Sequence, residues 1–278
     1  MNRIWTIAQN TLLELVRQKI FYFLVIFALA MIASSVFMDF LQPEMQFQII
    51  KDVSLGAMSI FTWLLAVLAT AMLLPKDMED RTLYTVLAKP VPRSAYIFGK
   101  LLGVLLLVGI STLIMSAMFV ATLWFKQTLA IAAIPAEMRT PEQLKLIYDA
   151  TFTFTLIPAI VAIYLKAALF AALTLLISTF ATSWIFTVVI SVVVYFIGHL
   201  VPLAREYSQA GVTGTVGRAI LTLVAVLFPD LQLFNLSDDI VAGNTVSTAF
   251  FAQIVGMGSF YIVVYALLAY FVFAKKEL

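Results

Sequence analysis

Polar residues interrupt this chain so rarely that the hydrophobic pattern organises it. Apolar runs occupy residues 20–38, 55–74, 96–125, 154–180, 184–201 and 254–274, and each is long enough for a helix to cross a hydrocarbon core of about 30 Å. Ahead of the first run, Ile4, Ile7, Ala8, Thr11, Leu12, Leu15 and Val16 recur at the spacing of one helical face. Only Thr11 is out of type, and Gln9, Asn10, Glu14, Arg17 and Gln18 fall elsewhere. Residues 1–19 therefore predict an amphipathic helix lying in the interface. They do not read as a cleavable leader, because the run that follows ends without a small-residue cleavage pattern. Residues 219–228 (AILTLVAVLF), followed by Pro229 and Asp230, are too short to cross and too apolar for water. They predict a re-entrant or interfacial segment inside the connection 203–253. The expected fold is all-α: a polytopic membrane protein of six transmembrane helices.

Composition narrows this further. Apolar residues make up 63% of the chain and charged residues 12%, against about 25% charged in a soluble domain; the mean hydropathy is +1.05. Six spans and their connections use all 278 residues, so residues 1–278 form one transmembrane domain with no separate soluble unit. The absence of cysteine removes disulfides, thiolate metal sites and cysteine nucleophiles. The single histidine is His199, and no Asp or Glu lies well inside a span, so no acid–base pair is available for intramembrane catalysis. A phosphate loop is also missing. Its closest fragment, Gly99-Lys100, is followed by Leu101 and has Ser94 where a glycine is required. No cofactor is expected, and Met31, Met38, Met115 and Met118 read as apolar filler rather than cuprous-ion contacts, since no His or Cys cluster accompanies them.

Six spans put both termini on one side. Together with residues 76–100, that side collects ten basic residues: Arg3, Arg17, Lys19, Lys76, Arg81, Lys89, Arg93, Lys100, Lys275 and Lys276. The opposite connections, 39–54, 126–153 and 203–253, hold six basic residues and ten of the fifteen acids over about twice the length. The positive-inside rule places both ends in the cytoplasm. Residues 181–183 join the fourth and fifth spans into a tight hairpin.

Residues 76–100 carry the most specific pattern: Glu79-Asp80-Arg81-Thr82-Leu83, Val86-Leu87, Lys89-Pro90-Val91-Pro92-Arg93, then Gly99-Lys100 opening the third span. With the amphipathic N-terminus, the span count and a polar break at Ser178, this resembles the ABC-2 family of transporter permeases. It is most similar to the compact permeases of copper-enzyme maturation and gliding motility; Arg81 departs from the small residue many members carry there. The resemblance implies a bacterial cytoplasmic-membrane exporter subunit driven by a separate ABC ATPase. The partner in the membrane would be a second copy of the chain or a paralogue, with membrane lipid and a periplasmic or accessory subunit as further partners. It also implies that residues 76–95 are a coupling segment seated on the ATPase, with Glu79, Thr82, Leu83, Leu87, Pro90 and Arg93 in that role. Asp77, Glu79 and Asp80 suit the positive end of a short helix, Leu83, Val86 and Leu87 suit an apolar cleft, and Pro90 with Pro92 ends the helix. An alternative within the same resemblance is a non-transporting scaffold that transmits ATPase motion to a periplasmic or surface partner.

Lys166 lies about ten residues from either end of the fourth run, with no intramembrane carboxylate to pair with it. A buried ammonium costs at least about 2.5 kcal/mol on insertion scales. Either it lines the transport route and favours an anionic or zwitterionic substrate, or it snorkels to the outer interface. His199 is read as structural. Gly99 and Gly103 permit close helix approach, assigned here to packing within the subunit rather than to a dimer seam.

Overall fold

The computed structural model describes residues 3–37, 43–79, 92–135, 140–152, 155–181, 183–209, 215–237, 240 and 246–275. It is 92% helical, with no strand among the described residues. The helices are α1 (Arg3–Val16), α2 (Lys19–Ser34), α3 (Pro43–Glu79), α4 (Arg93–Ala133), α5 (Pro141–Thr151), α6 (Leu156–Phe180), α7 (Trp184–Gln209), α8 (Thr215–Leu227) and α9 (Thr248–Ala274). Among the described residues six segments are long and apolar enough to cross a membrane, and they lie along α2, α3, α4, α6, α7 and α9. Helices dominate because a chain in hydrocarbon must satisfy every backbone N–H and C=O within itself. Buried hydroxyls do likewise: Thr62 donates to the Met58 carbonyl at 2.6 Å, Thr70 to Ala66 at 2.6 Å and Ser116 to Thr112 at 2.7 Å.

Two helices are much longer than their apolar runs. α3 has 37 residues and α4 has 41, about 55 and 60 Å at 1.5 Å per residue. Hydropathy marks only the apolar middle of each. Glu44, Gln46, Gln48, Lys51, Lys76, Lys126 and Gln127 belong to good or tolerable helix formers, so the helices continue past the lipid-compatible stretch.

The centre of the bundle is α6, which packs against α3, α4, α7 and α9. It holds this place because Ala162, Ala167, Ala168, Ala171 and Ala172 are small and fully or nearly fully buried, which lets neighbouring backbones approach. α6 and α7 form the expected hairpin around residues 181–183, and its register is regular. Lys166 meets His199, Phe170 meets Tyr195 and Thr174 meets Ser191. Each step of four residues along α6 is matched by four back along α7, which is one helical turn of each.

The short apolar run forms α8, packed along α7. At its end the Leu227 carbonyl accepts a hydrogen bond from the Tyr265 hydroxyl of α9 at 3.0 Å. Tyr265 lies nine residues before the end of α9, so the segment reaches into the bundle. The chain then returns between α7 and α9: the Leu231 N–H donates to the Gly198 carbonyl at 3.2 Å, and Phe234 packs over Gly258. Leu231, Phe234 and Leu236 are buried.

The N-terminal helix is spent largely on protein. α1 packs along α4, and a methyl group added at Gly99 would lie 2.8 Å from Ile7 Cβ, or at Gly103 2.7 Å from Thr11 Cβ. Gly99 and Gly103 are thus a seat within the subunit. Thr11, the residue out of type in the apolar stripe, sits directly over Gly103, where a longer side chain would clash.

Candidate functional site

Two polar clusters stand out, one at each level of the bundle. The first lies where α3 ends and α4 begins, on either side of residues 80–91. Lys100 of α4, buried, has its Nζ 2.8 Å from Asp77 Oδ2 of α3 and 3.7 Å from Glu14 Oε2 of α1. Lys76 reaches Glu14 Oε1 at 3.3 Å from a more exposed position. The Tyr96 hydroxyl donates to Asp77 Oδ2, and its ring stacks on Phe273 of α9 with centroids 5.6 Å apart. Arg93 closes the arrangement by donating from Nη1 to the carbonyls of Ala274 at 2.6 Å and Phe273 at 3.4 Å. A cation at a helix C-terminus satisfies carbonyls that the helix leaves open. Four helices, α1, α3, α4 and α9, are therefore tied together at one end.

This arrangement corrects one expectation. Asp77 and Glu79 do not open a separate short helix; α3 runs on through Pro75 to Glu79. A carboxylate near a helix C-terminus is electrostatically unfavourable by itself. Lys100 and the Tyr96 hydroxyl supply the compensation, so the helix has no reason to break there. Within the expected coupling segment 76–95, residues 76–79 belong to α3 and 93–95 to α4. Glu79 is the last residue of α3, whereas Thr82, Leu83, Leu87 and Pro90 lie outside the described residues. Arg93 faces the end of α9.

The second cluster surrounds Lys166, which is 5% exposed on the central helix. Its Nζ lies 3.4 Å from His199 Nε2 and 5.1 Å from the centre of the Tyr195 ring. The ammonium is held against α7. His199 Nδ1 lies 2.9 Å from the Tyr195 carbonyl; a carbonyl only accepts, so Nδ1 carries the hydrogen and Nε2 offers its lone pair to the ammonium. Tyr195 also stacks on Trp63 of α3, centroids 4.0 Å apart. The return segment covers this level: Gln232 Nε2 donates to the His199 carbonyl at 3.2 Å. Next to it, Asp230 is engaged by Arg205 at 3.7 Å and by the Gln232 N–H at 3.0 Å.

The sequence alone pairs neither Asp77 with Lys100 nor Lys166 with His199. The second pair was recoverable from the tight 181–183 turn, because antiparallel counting from the turn sets residue 166 beside 199. The first had a weaker signal, since residues 80–91 leave the relative offset of α3 and α4 open.

Residues 5–278 fit the model described as ABC-2 family transporter protein. No curated protein matches the chain. With six apolar helices long enough to cross a membrane and a family match over nearly its full length, the chain belongs to the ABC-2 transporter family, as a multi-pass permease component of an ABC transporter.

Proposed function

We propose that this protein is the membrane-spanning subunit of an ABC exporter, a single transmembrane domain that couples ATP hydrolysis by a separate ATPase chain to movement of a substrate across a bacterial cytoplasmic membrane. Two copies form the pathway, both termini face the cytoplasm, and residues 76–95 dock on the ATPase through Glu79, Thr82, Leu83, Leu87, Pro90 and Arg93. The observation that carries this reading is the ion-paired base. Glu14, Lys76, Asp77, Tyr96 and Lys100 bind the two helices that flank the docking segment to each other and to α1, and Arg93 adds the end of α9. A push on residues 80–91 would reach four helices at once. The excess of basic residues at this end supports its cytoplasmic placement. Lys166, carried on the central helix, lines the route.

Co-purification tests the docking. Leu83→Asp with Leu87→Asp is expected to abolish recovery of the permease with its ATPase and to uncouple ATP hydrolysis. Undiminished co-purification and coupling would remove the docking assignment. Substrate efflux or lipid transfer by the reconstituted complex separates an exporter from a force-transmitting scaffold.

A further inference from the structure

Lys166 sits among more hydrogen-bond donors than acceptors. An ammonium carries three N–H groups, and here they meet one lone pair, His199 Nε2 at 3.4 Å, and the face of Tyr195. The same Tyr195 ring packs against Trp63, whose indole N–H is buried and has no partner among the described residues. Trp63 is 8% exposed. Among the described residues no acid is in contact with Lys166, and Asp230 on the return segment is engaged by Arg205 and by the Gln232 N–H. A buried cation and a buried N–H without acceptors are each costly in isolation. Both costs fall if an oxyanion enters, because it supplies charge and several lone pairs together.

The setting defines what kind of oxyanion. Lys166 lies ten residues from the start of α6 and fourteen from its end, about 15 and 21 Å along the axis. Around it are the rings of Tyr195 and Phe170 and the apolar faces of α6 and α7. An inorganic ion would have to shed its water to arrive there. An amphiphile would bring its acyl chain into an apolar environment and its headgroup to the lysine.

We propose that Lys166, His199 and Trp63 form the headgroup end of a binding site for an acidic amphiphile carrying a phosphate-type oxyanion. Lys166 supplies the charge, the Trp63 indole supplies a second donor, and His199 orients the ammonium through its lone pair while its other nitrogen is fixed on the Tyr195 carbonyl. This deepens the reading of Lys166 as a residue of the route and rests on it for the site's place in transport.

Calorimetric titration of the full-length protein in a neutral maltoside detergent with decyl phosphate tests the site. Saturable binding is expected, weakened about tenfold or more by Lys166→Met and kept within about threefold by Lys166→Arg, with Trp63→Phe weakening it about three- to tenfold. Decyltrimethylammonium and inorganic phosphate are expected not to compete. Equal affinity of the wild-type protein and Lys166→Met overturns the site, and inorganic phosphate binding as tightly as decyl phosphate overturns the amphiphile. A second arm follows ATP hydrolysis by the complex with its ATPase. Stimulation by decyl phosphate that disappears in Lys166→Met places the site on the route. If binding depends on Lys166 but hydrolysis responds equally in both proteins, the site stands and the route assignment fails.

Discussion

Lys100 and Lys166 are both buried, yet their surroundings are opposite in kind. Lys100 has two carboxylates within 3.7 Å, and one of them also accepts from the Tyr96 hydroxyl. Lys166 has an imidazole lone pair and an aromatic face. At the base Lys76 and Lys100 each face a carboxylate and Arg93 faces helix-end carbonyls, which suits a joint that must stay intact while load passes through it. Around Lys166 no acid among the described residues is in contact with the charge, which suits a place that exchanges partners. One residue type, similarly hidden, meets two opposite environments.

Removing each lysine separates the two cases most sharply. Lys100→Met strands the Asp77 carboxylate, which is only 14% exposed, and is expected to destabilise the protein by about 3 kcal/mol. Lys166→Met strands no carboxylate among the described residues and is expected to leave thermal unfolding in detergent unchanged or slightly raised, because it removes a desolvated charge. Thermal unfolding of the two variants side by side checks this; equal losses would mean that the two environments are not different in kind. The Lys100→Met/Asp77→Asn pair should lose less than the two single changes combined.

Much of the architecture was legible before any coordinates. The six apolar runs all fall on helices, the amphipathic stripe lies on α1, and residues 219–227 lie on α8, because hydrocarbon leaves a chain few alternatives. The ends were less legible. Glu44, Lys51 and Asp77 look like loop residues to a hydropathy scan, but outside the lipid a helix tolerates them, and α3 absorbed all three. Lys166 was recognised as unusual, while its partner was read as a bystander: a lone histidine carries no pattern, and only the hairpin register brings it opposite. The Glu14–Lys100–Asp77 group could not be read at all, since it joins three helices whose relative offsets are set by packing.

Within the base, finer changes sharpen the contrast. Tyr96→Phe keeps the ring against Phe273 and removes one hydrogen bond to a charged group, an expected loss of about 1.5 kcal/mol measured by chemical or thermal unfolding. A loss as large as that of Lys100→Met would mean that the hydroxyl, rather than the ion pair, holds Asp77. The smallest effect belongs to Lys76→Ala. Its partner Glu14 is also half-exposed, so the change should cost no more than about 0.5 kcal/mol and should vanish at high salt. A salt-independent loss would show that Lys76 is held more firmly than its exposure suggests.

The glycine seat also constrains how the molecule is assembled. Gly99 and Gly103 receive Ile7 and Thr11, yet they emerge from the ribosome more than ninety residues after them, about 5–20 seconds later at ordinary elongation rates. Until then α1 can meet only α2 and Lys76 of α3 among its partners in the finished fold. Its locking onto the bundle is therefore a late step of biogenesis, and a protease cutting near residue 17 in pulse-labelled membranes would find the site open in young chains and closed in mature ones.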